Sequence, residues 1–217
     1  MSAVLCWQGE LPPVNEREAL RYAGVKEPSD EMTALLHECV ALGEKLLAPR
    51  VCYAFYPVRR VEGGLNLGFA QTQSNALRRN LSGCDQIVLF AATIGLGMDR
   101  LTARHAQLSP ARGVMLQAIG AERVESLCDA FENHLIRQGY ELRPRFSPGY
   151  GDLPLALQRD IFATLDCPGR IGVSLNESLL MSPSKSVTAI IGLLNRQQPP
   201  CAHRCAACTR NECLYRR

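Results

Sequence analysis

The segment from residue 143 to residue 150 carries the residue types best suited to holding a small ligand. Pro144 and the Pro148–Gly149 pair exclude a helix and predict an extended segment that ends in a turn. Such a backbone holds Arg145 and Tyr150 at a fixed separation. A guanidinium can clamp a carboxylate, and a tyrosine ring offers a flat face to a purine or a sulfonium cation. The pair suits an amphoteric ligand with an amino-acid end; a surface turn with an exposed arginine is the alternative interpretation.

A further candidate lies in the longest predicted helix, residues 111–138. Glu125 falls at the edge of the apolar stripe of this helix, where a carboxylate needs a cationic partner or contact with water. From the helical pattern alone, pairing with an arginine or solvation is the simpler interpretation. The predicted stripe consists of Val114, Ala118, Ala121, Val124, Cys128, Phe131 and Leu135.

Four of the ten cysteines fall in the last seventeen residues, at Cys201, Cys205, Cys208 and Cys213. Four thiols this close can surround a zinc ion or ligate an iron–sulfur cluster, and His203 is a substitute ligand. A segment this short has too few apolar residues to fold alone, so the metal would supply its folding energy. The sequence therefore predicts a metal-binding tail, with zinc and an iron–sulfur cluster both open.

Cysteine spacing also bears on two other classes of protein. The tail contains the Cys-x3-Cys-x2-Cys spacing of radical S-adenosylmethionine enzymes, but in those enzymes the cysteines come early in a barrel, so we do not expect that class here. The other six cysteines are dispersed in apolar surroundings, where free thiols behave as small hydrophobic residues. A secreted disulfide framework is therefore not expected.

Two blocks of residues together resemble the S-adenosylmethionine-binding activation domain of cobalamin-dependent methionine synthase. The family pattern is Arg-x-x-Pro-Gly-Tyr, followed later by Thr/Asn-Glu-Ser, Met-x-Pro and Ser-Val. The matching positions here are Arg145, Pro148–Tyr150, Asn176–Ser178, Met181–Pro183 and Ser186–Val187. The resemblance extends over residues 15–195, and the cysteine tail is a departure from it.

The resemblance implies a role for each candidate residue. Arg145 would clamp the carboxylate of S-adenosylmethionine, and Tyr150 would pack on its adenine or sulfonium region. The backbone around Ser147 would read the adenine edge, and Glu125 would face the ammonium or sulfonium end. Lys185 is a departure from the small residue usual at its position.

The resemblance also implies a partner and a reaction. In the family, an electron and a methyl group restore methylcobalamin when the cofactor has drifted to the inactive Co(II) state. The corrin does the bond-making chemistry, so the protein binds and orients, in keeping with the lack of a recognisable nucleophile–base pair. The implied partner is a cobalamin-binding methionine synthase or a related corrinoid methyltransferase, with an electron donor. No turnover is expected from the domain alone, and a cluster in the tail would fit as an electron port.

Two other functions stay open. The chain could be a non-catalytic adaptor that docks on a corrinoid protein without binding S-adenosylmethionine. It could also be a metal-tailed binding module whose resemblance is structural only, because a fold does not transfer a function.

Gly95 and Gly97 precede a predicted helix, but without a third glycine and a phosphate-binding lysine they indicate a tight turn rather than a nucleotide site.

Length and composition fit one globular domain. The chain has 217 residues, of which 47% are hydrophobic and 21% charged, enough for a sizeable core. A net charge of +3 with scattered arginines gives no argument for nucleic acid, and no apolar run approaches the length of a membrane span. No secretory signal is visible, so the cytoplasm is the expected location.

Predicted strands and helices interleave without a regular βαβ period. We therefore predict a single α+β domain over residues 1–196, with a largely antiparallel sheet flanked by helices, as the family also has. Residues 197–217 are predicted to form a linker and the metal-binding tail. The predicted helices cover 15–22, 30–48, 74–82, 98–107, 111–138 and 154–166, and the predicted strands cover 51–61, 65–70, 86–93, 170–175 and 186–194. Asn15 with Glu18 three residues later resembles a capping box for the first helix, and the apolar run 86–93 predicts a strand buried on both faces.

Overall fold

A four-stranded antiparallel sheet lies at the centre of the protein, with helices on both of its faces. The computed structural model describes residues 2–194, so the predicted metal ligands Cys201, Cys205, Cys208 and Cys213 lie outside the described residues. The helices are α1 (Glu16–Tyr22), α2 (Asp30–Gly43), α3 (Asn75–Asn80), α4 (Gly97–Leu108), α5 (Pro110–Arg137), α6 (Leu157–Leu165) and α7 (Cys167–Ile171), with a 3-10 turn at Glu44–Leu46. The strands are β1 (Leu5–Trp7), β2 (Arg50–Pro57), β3 (Arg59–Val61), β4 (Gly64–Asn66), β5 (Gln71–Thr72), β6 (Cys84–Thr93), β7 (Ser174–Leu175), β8 (Met181–Ser182) and β9 (Ser186–Leu194).

The strand order of the main sheet is β1-β2-β6-β9, and each neighbouring pair is antiparallel. β3, β4 and β5 form a separate small antiparallel sheet, and β7 pairs with β8. The predicted α+β fold with an antiparallel sheet is confirmed.

The central strands divide the interior into two cores because they are apolar at almost every position. Successive side chains of a strand point to opposite faces. In β6, Phe90 therefore packs in a core with α2 and α5, whereas Leu89 and Ala91 pack in a second core with α6 and α7. This agrees with the prediction that residues 86–93 form a strand buried on both faces.

The 28-residue helix α5 covers most of one face of the sheet. Its Phe131 contacts the rings of Tyr53 and Phe90, with centroid distances of 4.9 and 5.2 Å. The predicted inward position of Val114 is wrong, because this side chain is 55% exposed. Gly113 instead packs against α4, where an added Cβ would lie 2.8 Å from the Cα of Ala106, and this contact turns Val114 outward.

A buried ion pair on α5 fixes the N-terminal segment, and nothing in the sequence analysis predicted it. Glu122 and Arg123 are 2% and 1% exposed. The Arg123 guanidinium donates to the carbonyl oxygens of Pro12 and Pro13 at 2.6 and 3.2 Å. The backbone N–H of Asn15 donates to Glu122 at 3.2 Å. The predicted capping box is therefore half formed, because the Asn15 side chain accepts from the first turn of α1 while its N–H bonds to α5.

Three predicted strands differ from the structure. The predicted strand 51–61 is divided at Val58 into β2 of the main sheet and β3 of the small sheet. Residues 170–175 contain the end of α7 before β7 begins, because Pro168 lies in the first turn of α7 and Gly172 ends this helix at φ +71°. Of the predicted strand 65–70, only residues 65–66 belong to a strand, β4, because Gly68 turns the chain at φ +80° and donates to the Asn66 side chain. β5 begins after this turn, at Gln71.

We expect Arg123→Met to lower the free energy of unfolding by about 3–5 kcal/mol, because it leaves the Glu122 carboxylate buried without a counter-charge. The double variant Glu122→Leu/Arg123→Met removes that charge and should recover most of the loss, as apolar replacements of buried ion pairs often do. Urea unfolding followed by circular dichroism measures both. A double variant as unstable as the single one would show that the bonds to Pro12 and Pro13, rather than charge pairing, hold this segment.

Candidate functional site

The segment 142–146 runs along the outer edge of β9. The N–H of Phe146 donates to the Ile190 carbonyl at 2.8 Å, and the N–H of Ile190 donates back at 2.9 Å. The N–H of Arg143 bonds to the carbonyl of Gly192 at 2.8 Å. Because consecutive residues of an extended chain point to opposite faces, Arg145 reaches α5 while Phe146 packs against the second core.

Arg145 binds three carboxylates that α5 presents on one face. Its Nη2 donates to Glu125 at 2.5 Å, and its Nη1 donates to Asp129 and Glu132 at 2.7 and 2.6 Å. The spacing i, i+4, i+7 places these carboxylates one above the other on the helix. The structure thus brings two predicted site residues, Arg145 and Glu125, into direct contact. From the helical pattern, pairing with an arginine was one of the simpler interpretations of Glu125, and the structure shows this pairing.

The Arg145 cluster, meaning Arg145 with Glu125, Asp129 and Glu132, carries a formal charge of −2 when its three carboxylates are ionised. The Arg145 side chain is 18% exposed, and those of the carboxylates are 22–44% exposed. Burial raises the pKa of Glu132 above its ordinary value, although Arg145 opposes the rise. The cluster is therefore an electronegative surface, which attracts a cationic group and repels an anionic one.

Tyr150 lies at the end of the turn that the Pro148–Gly149 pair predicts. Gly149 adopts φ +91° and its N–H donates to the Leu153 carbonyl at 2.9 Å. The N–H of Tyr150 donates to the carbonyl of Ser147 at 3.2 Å. The Tyr150 ring is 52% exposed and meets the edge of the Phe146 ring at a centroid distance of 6.4 Å. The aromatic face thus lies on the Phe146 side of the segment, and Arg145 lies on the α5 side.

Asp152 fastens this turn to the N-terminus of α3, a contact that the sequence did not reveal. Its carboxylate accepts from the Ser74 hydroxyl at 2.5 Å and from the N–H groups of Asn75 and Ala76 at 2.8 and 3.0 Å. These donors, the Ser74 hydroxyl foremost, lower the pKa of Asp152 to about 2. Tyr150 is therefore held two residues from an anchored helix cap.

A cavity of about 380 Å³ adjoins the Arg145 cluster between α1 and α5. Glu125 and Asp129 form part of its wall, and Tyr22 lines it from α1. Two of the three carboxylates that bond Arg145 therefore also border a space large enough for part of a small ligand.

The block from Met181 to Val187 leads from β8 into β9, and it contacts α4 and α5 at residues 184 and 185. Asp99 of α4 accepts from the N–H and the hydroxyl of Ser184 at 2.6 and 2.8 Å. Lys185 follows and is only 7% exposed. Its stem lies across Gly120, where an added Cβ would be 2.8 Å from the lysine Cε. Burial lowers the pKa of Lys185, with Asp99 opposing the change.

The glycines at 95 and 97 form a packing turn, as predicted. Gly95 has φ +85°, and a Cβ added to Gly97 would lie 2.4 Å from the Leu46 carbonyl oxygen. The first turn of α4 also carries Asp99, which repels a phosphate.

Over residues 2–194, no group of three or more His, Cys, Asp and Glu side chains is arranged to hold a metal ion. Among the same residues, no helix has both the length and the apolar character needed to cross a membrane.

The fold is similar to that in a crystal structure of the MetH reactivation domain bound to AdoHcy. The TM-score is 0.65 at 20% sequence identity, and the alignment covers 91% of this chain and 80% of that chain. No protein-family model and no curated protein matches the sequence. At this identity the similarity shows a shared fold, and the predicted resemblance is confirmed at that level.

We expect Arg145→Met to lower the free energy of unfolding by about 2 kcal/mol, less than the roughly 3–5 kcal/mol of a fully buried pair, because Glu125 and Asp129 are partly solvated. Arg112→Met, which removes a surface ion pair with Glu38, is the control and should change stability by less than about 0.5 kcal/mol. Equal losses in the two variants, measured by urea unfolding, would contradict a structural role for the Arg145 cluster.

Glu132→Gln should be neutral or stabilising at pH 7. A carboxyl whose pKa is raised on folding binds its proton more tightly in the folded state, so its ionisation costs stability. As the pH falls from above that raised pKa toward the ordinary value of 4.5, the wild type should therefore gain stability relative to Glu132→Gln. Thermal unfolding at several pH values measures the difference, and a destabilised glutamine variant at pH 7 would contradict the expectation.

The ionised carboxylate of Asp152 should stabilise the folded state, whereas that of Glu132 should destabilise it. Its pKa is lowered on folding, so its contribution is present above the ordinary value of 3.8 and is lost as the pH falls toward about 2. The melting temperature of the wild type should fall more steeply through this range than that of Asp152→Asn. Asp160→Asn, which removes an exposed carboxylate from α6, is the control, and parallel curves for the wild type and Asp152→Asn would refute the cap.

Proposed function

We propose that this chain binds S-adenosylmethionine and supports the reductive methylation of a cobalamin carried by a partner methionine synthase or related corrinoid methyltransferase. The observation that supports this most is the position of the Arg145–Tyr150 segment. It lies on the edge of β9, with Arg145 against Glu125 of α5 and an exposed Tyr150 ring beyond an anchored turn. The fold is shared with a domain that was crystallised with AdoHcy.

The electrostatics of the Arg145 cluster support a ligand with a positive charge. S-adenosylmethionine carries a sulfonium and an ammonium, and a surface with a formal charge of −2 favours both. Glu125 and Asp129 are assigned to this cationic end because they border the adjoining cavity. The exposed ring of Tyr150 is assigned to the adenine or the sulfonium, to which an aromatic face is complementary. The backbone at Ser147 is assigned to the adenine edge.

The chain needs no nucleophile for this function. A corrinoid on the partner would supply the bond-making chemistry, and the residues of this chain would bind and orient the methyl donor.

We also propose that residues 197–217 form a separate tail that binds zinc or an iron–sulfur cluster through Cys201, Cys205, Cys208 and Cys213. An electron donor is required in either case, and a cluster would provide a route for its electron.

One observation favours the adaptor as a second candidate function. In the structure Arg145 is already bonded to three carboxylates of its own chain. If these bonds persist against every ligand, the chain would associate with a corrinoid protein without binding S-adenosylmethionine.

Isothermal titration calorimetry with S-adenosylmethionine tests the proposal. We expect saturable binding that Glu125→Gln weakens by about 2 kcal/mol, the scale for losing a hydrogen bond to a charged group. Glu38→Gln, which removes a carboxylate from a surface ion pair with Arg112, is the control and should bind as the wild type does.

Folded wild-type protein that binds neither S-adenosylmethionine nor S-adenosylhomocysteine would overturn this function. In that case, retained association with a corrinoid protein, measured by sedimentation or by surface plasmon resonance, would support the adaptor. Loss of both interactions would leave a binding module that shares only its fold with the activation domain.

A further inference from the structure

Positive charge is concentrated in the C-terminal segment, meaning residues 195–217. This segment contains five arginines and one acid, Glu212, so its net charge is +4. The whole chain has 24 basic and 21 acidic residues, which leaves 19 basic and 20 acidic residues, a net charge of −1, for residues 1–194. The folded domain and the segment that follows it are therefore oppositely charged. The arginines of the segment are Arg196, Arg204, Arg210, Arg216 and Arg217.

A metal in the segment would reduce this charge without reversing it. A zinc ion carries two positive charges, and four cysteine thiolates carry four negative ones. Their sum is −2, so the net charge of the C-terminal segment would change from +4 to +2. The segment is therefore cationic with or without the metal.

The C-terminal segment begins close to the Arg145 cluster. It follows Leu194, the last residue of β9, whose N–H donates to the Glu141 carbonyl at 2.9 Å. Ile190 of the same strand bonds the residue next to Arg145, so Leu194 lies four strand residues, or about 13 Å, from the level of Arg145. Ten residues of extended chain span up to about 33 Å. Arg204, ten residues beyond Leu194, can therefore reach the whole cluster.

An acidic face of α5 lies at the same end of the domain, because α5 ends four residues before Glu141. Glu125, Asp129 and Glu132 form this face together with Ile136, which continues their helical spacing toward the end of α5. Within residues 2–194, Ile136 is 53% exposed. From Glu125 to Ile136 the face is about 16 Å long. It thus combines carboxylates with an exposed apolar side chain, beside the point where the C-terminal segment begins.

The acidic face has more negative charge than its own cation can balance. Arg145 is shared by three carboxylates, which leaves a formal charge of −2. Each of the other ion pairs among residues 2–194 joins one carboxylate to one cation. A further cation is therefore attracted to the Arg145 cluster more strongly than to these balanced pairs.

We propose that the C-terminal segment docks on the acidic face of α5 of its own chain, with its arginines against Glu125, Asp129 and Glu132. A guanidinium forms paired hydrogen bonds to a carboxylate, so arginine suits this face. Glu125 and Asp129 are also the residues assigned to the cationic end of S-adenosylmethionine. The docked segment would therefore compete with that ligand, and this competition, unlike the docking, rests on the proposed function.

Cross-linking of the full chain tests the docking. The chain has three lysines, Lys26, Lys45 and Lys185, and the C-terminal segment has none. The variant Arg204→Lys/Arg210→Lys keeps the charge of the segment and adds two amines, which a carbodiimide joins to carboxylates in direct contact. We expect mass spectrometry to find these amines linked to the three carboxylates of the acidic face. About 1 M salt, which screens exposed charges beyond about 3 Å, should suppress the links.

Two controls make this result specific. Glu31 on α2 and Asp160 on α6 are exposed carboxylates outside the acidic face and should give few links. A mixture of ¹⁵N-labelled and unlabelled chains distinguishes links within one chain from links between two chains. Equal yields at the control carboxylates, links between chains only, or no link to the acidic face would each overturn the docking.

Calorimetry with S-adenosylmethionine tests the competition. We expect Arg204→Gln/Arg210→Gln to raise the affinity by about fivefold, the scale of two exposed ion pairs. Arg59→Gln/Arg60→Gln removes the same charge from exposed positions on β3 and should change the affinity by less than about twofold. Links to the acidic face with an unchanged affinity in the first variant would overturn the competition alone. Links to this face in a chain that does not bind S-adenosylmethionine would support the docking and overturn the proposed function.

Discussion

The backbone pairing between segment 142–146 and β9 is the constraint on which the candidate site depends. Two hydrogen bonds between Phe146 and Ile190 fix the register, and the period of two in an extended chain then assigns Arg145 to the α5 side. A slip of one residue would turn this arginine into the second core and point Phe146 at three carboxylates. The site therefore depends on the pairing with the sheet as well as on the turn, because the register of this pairing determines on which face of the sheet Arg145 lies.

The charges of the site are distributed along α5 in a way that follows from helical geometry. Three carboxylates spaced i, i+4, i+7 gather at Arg145, and the glycine that accommodates Lys185 lies further toward the N-terminus of the same helix. One rigid element thus sets the spacing of the three carboxylates around Arg145.

The sequence predicted the features that depend on local patterns. The uninterrupted apolar run of residues 86–93 predicted a strand buried on both faces, and Pro148–Gly149 predicted the turn before Tyr150. The Glu122–Arg123 pair was missed because two adjacent charged residues in a helix look like a solvated flank, and their partners include the carbonyls of Pro12 and Pro13. Such contacts join residues more than 100 positions apart, and no local pattern encodes them.

The same distinction applies to the binding motif and its function. An Arg-x-x-Pro-Gly-Tyr motif identifies the backbone that presents an arginine, but the charges around that arginine decide what it can bind. Here Glu125, Asp129 and Glu132 already bond Arg145. A carboxylate that approaches Arg145 therefore meets repulsion from a cluster of net negative charge. The same backbone can thus present an arginine whose binding preference is set by the carboxylates of α5.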